Sequence, residues 1–220
     1  MKQKKRLLLG VLLVLVMGLF AGGVQGQTTG TLTDARDSQT YTIVTIGTQT
    51  WMAENLNYYT ANYSKYWNND SIEYADDYGL LYEQSVADTV CPTGYSLPSD
   101  SDWQILESFL GMSNADTASS GYRTSGNVGN DLKAGYNEKD RYGNVYWGTG
   151  FGNDNYNFSA LPAGYFGSSF YSLGLNAYYW TSTQFNSNLY YSRVLYRGLD
   201  GIDRLYMSSA DYMSVRCIKD

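Results

Sequence analysis

The sequence runs to 220 residues, with 15 Lys and Arg against 21 Asp and Glu, 23 Tyr, 23 Gly, two Cys and no His. Without histidine, Ser-His-Asp and Cys-His catalysis and imidazole-based metal sites are excluded. The formal charge of −6 disfavours nucleic acid and anionic lipid as partners, because affinity for phosphates depends on concentrated Lys and Arg.

Residues 1–26 read as a secretory signal peptide. Lys2, Lys4, Lys5 and Arg6 precede an apolar run over 7–20, and small residues up to Gly26 suit a cut before Gln27. The run of about 14 residues is short of the roughly 20 needed to span a bilayer. No membrane insertion is expected once it is removed. Losing those four basic residues takes the formal charge from −6 to about −10. The remaining length suits one domain.

Residues 27–33 form a short polar lead-in. Residues 41–46 (YTIVTI) are β-branched and predict a strand, which Gly47-Thr48 turns into a partner over 49–53. The stretch 55–78, rich in Asn, Tyr and Asp, reads as a long loop. Residues 80–90 predict a helix, with Leu81, Val86 and Val90 loosely on one face. A better-marked helix begins at Ser99, a good N-cap, with Asp102 placed to reach back. Its Trp103, Leu106 and Leu110 recur at helical spacing before Gly111. Residues 114–158, full of Gly, Asn and Asp, read as an extended loop, and loops of that length in a compact domain are usually functional or held down by other contacts. Strands follow over 178–183, 189–196, 202–207 and 212–218, with connections such as Asp200-Gly201 suited to antiparallel hairpins. The expectation is a single α+β domain. Its Tyr, Gly, Asn and Ser are residues also favoured in binding loops.

An exported chain with two cysteines is expected to pair them. Bridging Cys91 to Cys217 closes a loop on the order of 100 residues, worth up to about 4–5 kcal/mol in the chain-entropy model. The pair lacks C-x-x-C redox spacing, and two thiols without histidine do not complete a zinc site.

Several phrases then occur in a telling order. They are Asp34-Ala35-Arg36-Asp37, Trp51-Met52-Ala53-Glu54-Asn55-Leu56-Asn57, Asp77-Tyr78-Gly79-Leu80-Leu81-Tyr82 and Cys91-Pro92-Thr93-Gly94-Tyr95-Ser96-Leu97-Pro98. After them come Phe158-Ser159-Ala160-Leu161-Pro162-Ala163-Gly164-Tyr165, Tyr179-Trp180-Thr181-Ser182 and Ser214-Val215-Arg216-Cys217. Across 34–220 the chain resembles the Fibrobacter succinogenes major paralogous domain, a family of bacterial surface and secreted proteins. It departs from the family's usual pattern at Tyr95-Ser96, where Trp-His is common, and after Tyr82, where a Trp is usual. The resemblance implies a fold similar to C-type lectins and formylglycine-generating enzymes: two helices around a small twisted antiparallel sheet with long irregular loops. It implies no defined activity. The reactive cysteines of the formylglycine-generating enzymes have no counterpart here if both thiols are bridged.

Trp51, Trp103 and Trp180 are expected as core anchors, and Asn55 and Arg216 as loop holders bonded to backbone. Acidic pairs such as Asp76-Asp77 or Asp200 with Asp203 are common in an acidic protein, and no enzyme is expected. No cofactor is expected either. A structural calcium stays open, because oxygen ligands cluster at Asn68-Asn69-Asp70, Asp76-Asp77 and Asn153-Asp154-Asn155. The ligand-contacting surface is expected on the strands before Cys217, in Tyr190, Tyr191, Arg193, Tyr196, Arg197, Asp200, Asp203, Arg204 and Tyr206, since aromatic and Arg side chains dominate binding hot spots. The expected role is a secreted or surface-exposed recognition module for a polysaccharide or a protein. The alternative is a structural subunit of a surface appendage.

Overall fold

Alternation over residues 40–46 organises the first sheet. Strand β2 (Thr40–Ile46) turns Tyr41 and Ile43 to one side and Val44 and Ile46 to the other, so each face packs into a different core cluster. The computed structural model describes residues 27–69 and 71–220, and the expected signal peptide lies outside them. The lead-in is itself a strand, β1 (Thr28–Thr33), pairing antiparallel with β2 from Thr28↔Thr45 to Thr33↔Thr40. Its threonines suit an exposed edge strand. β3 (Gln49–Met52) completes the expected hairpin.

The long loop expected over 55–78 carries β4 (Ser64–Lys65), a 3-10 turn at Trp67–Asn69 and helix α1 (Ser71–Tyr78). That helix escapes a hydrophobic pattern because Tyr74, Ala75 and Tyr78, rather than aliphatic residues, lie on its covered side. The helix expected over 80–90 is instead β5 (Leu81–Glu83) followed by the single-turn α2 (Gln84–Ala87). Leu80, Leu81 and Tyr82 are buried in succession, which one stripe of a helix cannot supply.

After β6 (Tyr95–Ser96) comes α3 (Asp100–Phe109). Its capping box is closed in both directions: Asp102 N donates to Ser99 Oγ at 3.1 Å, and Ser99 N to Asp102 Oδ2 at 2.7 Å. The region 114–158 is less irregular than expected. It holds α4 (Asn114–Ala118), β7 (Gly121–Arg123) and α5 (Val128–Leu132), elements too short to leave a periodic signature. β8 (Tyr165–Phe166) and β9 (Phe170–Tyr171) lead to β10 (Asn176–Asn186), β11 (Leu189–Tyr196) and β12 (Ile202–Ser208). The last expected strand divides into β13 (Tyr212–Ser214) and β14 (Ile218–Lys219), because Arg216 turns inward between them and Cys217 is bridged.

The architecture is therefore α+β, mostly sheet with short helices. One sheet runs β1-β2-β3-β14-β6; the other runs β4-β5-β13-β10-β11-β12-β7, with β8 and β9 attached to β13. Neither closes into a barrel. Among the described residues, these strands pair antiparallel except β10 with β13, which meet in parallel at Tyr179↔Ser214. Between the sheets and α3 lies an aromatic core in which Trp51 and Trp103 stand 5.1 Å apart and each meets Phe158 at 5.8 Å. Trp180 is buried in a second cluster with Tyr82, Met213, Val215 and Cys217. No helix among the described residues is long and apolar enough to cross a membrane.

Cys91 and Cys217 are bonded, with Cα atoms 5.9 Å apart, which ties the stretch before β6 to the crossing between the sheets. The buried disulfide is compatible with an extracellular protein. Replacing both cysteines by serine is expected to cost about 2–5 kcal/mol of unfolding free energy, read from urea titrations. A double variant as stable as the parent would show that the crossing holds without its staple.

Candidate ligand-binding cleft

The strands before Cys217 do not present one face. Side chains alternate along β11 and β12, so Tyr191, Arg193, Arg204 and Tyr206 point to one side and Tyr190, Tyr196 and Asp203 to the other. α3 covers the inner part of the first side. There Arg193 is fully buried, donating from Nε to Glu107 Oε1 at 2.6 Å and from Nη1 to Asp100 Oδ1 at 2.8 Å. Arg204 grips Asp100 with two further bonds of 2.8 and 2.7 Å, and Arg123 grips Glu107 with bonds of 2.7 and 2.8 Å. Burial acts to raise the Asp100 carboxyl, but Arg204 and Arg193 hold it below its ordinary value. Arg193 and Arg204 are thus internal, and the expectation that they meet a ligand is corrected: a helix carrying Asp100 and Glu107 occupies their side of the sheet.

The other residues of that group scatter. Tyr190 packs edge-on against Trp180, and Asp203 is buried, accepting from the Tyr196 hydroxyl at 2.9 Å. Asp200 is exposed and accepts from Tyr122 Oη at 3.3 Å. Tyr206, 47% exposed, stacks flat on Phe185 at 4.2 Å beside Tyr191. Arg197 lines a concave site.

That site is a cleft of about 720 Å³, within the range of small-molecule pockets. Tyr74 and Tyr78, one turn apart on α1, form one wall. The loop 140–146 forms the next. Within it the Asp140 carboxylate accepts from the backbone N–H of Tyr142 at 2.9 Å and of Asn144 at 2.8 Å, and from Asn144 Nδ2 at 3.0 Å. Burial alone would raise this carboxyl, but those bonds keep it below its ordinary value. Arg141 ties the loop to α1, reaching Asp77 at 2.9 Å and Asp76 at 3.3 Å. Tyr146 meets Tyr78 edge-on at 5.6 Å.

The far wall is the turn at Leu173, Gly174 and Leu175, whose last carbonyl accepts from Arg197 N at 2.6 Å. Lys133, fully buried, donates to the carbonyls of Tyr196 and Leu199 and so holds the turn that carries Arg197. Burial pushes the Lys133 amine down to about 8. Gly148 leaves room for Arg197: a Cβ there would come within 3.0 Å of its Nε, on a backbone already at φ +81°.

The cleft offers ring faces, hydroxyls, amides and one guanidinium. Burial, followed by the charges of Asp77, Asp140 and Glu138, pushes the Tyr146 hydroxyl up to about 12, and burial with Asp140 raises that of Tyr78 further. Both stay protonated at neutral pH. Two smaller pockets continue the cleft. One, about 300 Å³, shares Tyr78 and Tyr146 with it and adds Asp76, Asp77 and Glu138. The next, about 350 Å³, is lined by Asp37, Tyr58, Tyr59 and Tyr66.

Two of the oxygen-rich strings have partners within the chain. Asp154 accepts from Ser159 N and Oγ at 2.8 and 2.6 Å, and Asp76 and Asp77 face Arg141. Asp70 lies outside the described residues. Among those described, no three carboxylate, thiol or imidazole side chains cluster as a metal site. The cleft residues other than Arg197 were missed because they come from three distant segments, although the Tyr, Asn and Gly richness of two of them is a binding-loop composition.

Fold and site together define a disulfide-stapled α+β domain with a tyrosine-lined cleft. The chain belongs to the Fibrobacter succinogenes major domain family, whose model matches residues 44–219. No curated protein and no solved structure matches it.

The contrast between Arg193 and Arg197 is measurable. Arg193→Ala is expected to lower unfolding free energy by about 3 kcal/mol, since it breaks a buried ion cluster. The exposed Arg197→Ala should stay within about 0.5 kcal/mol of the parent. Equal stabilities in urea titrations would contradict the assignment of Arg193 to the interior.

Proposed function

We propose that the chain is an exported, non-enzymatic recognition domain that holds a polysaccharide in the tyrosine-lined cleft. The observation that carries this reading is the cleft itself. Four tyrosines, Tyr74, Tyr78, Tyr142 and Tyr146, converge with Asn144 and Arg197 around one cavity. Tyrosine supplies flat amphipathic area with few rotatable bonds, which suits stacking on sugar rings while its hydroxyl hydrogen-bonds. The loop 140–146 is held by its own Asp140 and by Arg141, so its order is established before a ligand arrives. Asp140, the carboxylate of this cavity, is engaged with its own loop, which favours binding over chemistry.

We read the fold as C-type-lectin-like, supported by the family and by a chain whose last strand, β14, sits in the same sheet as its first. A secreted or surface location is supported by the signal-type sequence over 1–26 and by the buried disulfide. A second reading, a structural subunit of a surface appendage, draws on one feature: the exposed pair Phe185 and Tyr206 on the β-strands beyond α3. Sedimentation at rising concentration separates the two, because only a subunit that assembles through this patch becomes larger.

The test of the first reading is binding to a panel of soluble polysaccharides by affinity electrophoresis. Tyr142→Ala and Arg197→Ala, both at exposed positions, are expected to weaken retention at least tenfold while the melting temperature holds. Tyr191→Ala and Tyr206→Ala should bind as the parent does. Retention untouched by the first two variants would place the site elsewhere.

A further inference from the structure

The two smaller pockets adjoin the cleft in a row, each sharing lining residues with the next. Tyr78 and Tyr146 line both the main cavity and its neighbour, and Gln39, Asn57, Ala75 and Asp76 line both that neighbour and the third pocket. Every aromatic ring lining the three, among the described residues, is a tyrosine. At the far end Tyr59, 54% exposed, stacks on Tyr66 at 5.5 Å with the rings 8° from parallel. A planar tyrosine platform therefore stands at the far end of the row of pockets, and the edge-on pair Tyr78 and Tyr146 stands where the first two meet.

The charges of the groove these pockets form are one-sided. Asp37, Glu54, Asp76, Asp77, Glu138 and Asp140 line it. Against these six carboxylates stand Arg197, the Arg141 that bridges Asp76 and Asp77, and the buried Arg216 beneath the middle pocket, which acts on Glu54, leaving the lining with an excess of negative charge. The Arg36 nearby is paired with Asp34 and stacks on Tyr58 at 3.8 Å, so that pair adds no net charge. Several of the carboxylates are already engaged: Glu54 accepts from Thr42 N, Glu138 from Gly135 N and Asp37 from Gln39. They create a field against anions while having their first partners within the chain, which argues for a neutral ligand over a basic peptide.

Resting on the cleft as the binding site, we infer that the ligand is an uncharged polysaccharide chain several sugars long, lying across all three pockets, and that the carboxylates act as a filter against acidic glycans. Building repulsion against the wrong ligand is one of the two routes to specificity. Such a filter acts over the screening length of about 8 Å at physiological salt and fades as salt rises.

Calorimetry on the purified chain tests this with neutral gluco-, manno- and xylo-oligosaccharides of two to six units and oligogalacturonates of the same lengths. The expected result is affinity for a neutral series that climbs at least tenfold from dimer to hexamer. Tyr59→Ala should weaken the hexamer several-fold and leave the dimer unchanged. Oligogalacturonates should bind at least tenfold more weakly than the neutral hexamer at low salt, with the gap narrowing in 1 M salt. Equal affinity for the acidic series, or no gain with length, overturns the inference. If Tyr142→Ala still abolishes that binding, the cleft remains the site and only its ligand class was wrong. Binding of no sugar of either kind overturns both.

Discussion

Arg216 is the constraint on which the arrangement of the two sheets depends. Its guanidinium is fully buried, and burying a cation without partners is prohibitively costly. Acceptors come from two distant segments: Asn55 Oδ1 at 2.6 Å and Met52 O at 3.3 Å on one side, Phe158 O and Ser159 O, the latter at 2.7 Å, on the other. The rings of Phe158 and Tyr179 lie 4.8 and 5.7 Å from it. Moving any of these segments leaves the charge unsatisfied, so the end of β3 and the stretch at 158–159 are fixed relative to each other. The chain crosses between sheets at this residue, and Cys217 beside it is bridged to Cys91. Asn55 and Ser159 also line the middle pocket of the groove. The residue that joins the sheets thereby sets the groove's floor.

A second buried charge cluster performs the same task on the opposite flank. Asp100 and Glu107, both on α3, collect Arg193, Arg204 and Arg123 from β11, β12 and β7. Arg204 and Arg123 each grip one carboxylate bidentately and Arg193 bridges the two, so three strands are locked to one helix by bonds that are directional where apolar packing is not. The result is a rigid body of sheet and helix whose edges carry loops. Binding capacity moves to those loops, where 140–146 and 173–175 meet α1.

Local signals in the sequence are legible where one segment suffices. Ser99 and Asp102 announce the start of α3, the alternation over 40–46 gives β2, and the two cysteine phrases give the bridge. What was illegible depends on the other segment. Nothing in Tyr191-Ser192-Arg193 tells which side of the strand a helix will cover, so an arginine that pairs with Glu107 looks the same as one that awaits a ligand. α1 was hidden because tyrosines and an alanine stand where aliphatic residues would mark a stripe. The cleft was hidden for a stronger reason: Tyr74, Asp140, Leu175 and Arg197 are separated by up to 123 positions (197 − 74) and converge only in the folded chain, where Lys133 holds the turn that carries Arg197. The Tyr, Asn and Gly richness of the loops was visible, but not their meeting point.

The central claim is that the strands before Cys217 are scaffold and the tyrosine-lined groove is the recognition surface. Backbone amide shifts of the labelled chain, followed while a bound oligosaccharide is titrated in, test it most directly. The account predicts shifts concentrated at residues 74–78, 138–146, 173–175 and 197, with Phe185, Tyr191 and Tyr206 unmoved. Shifts confined to Phe185, Tyr191 and Tyr206, with the groove silent, would contradict it.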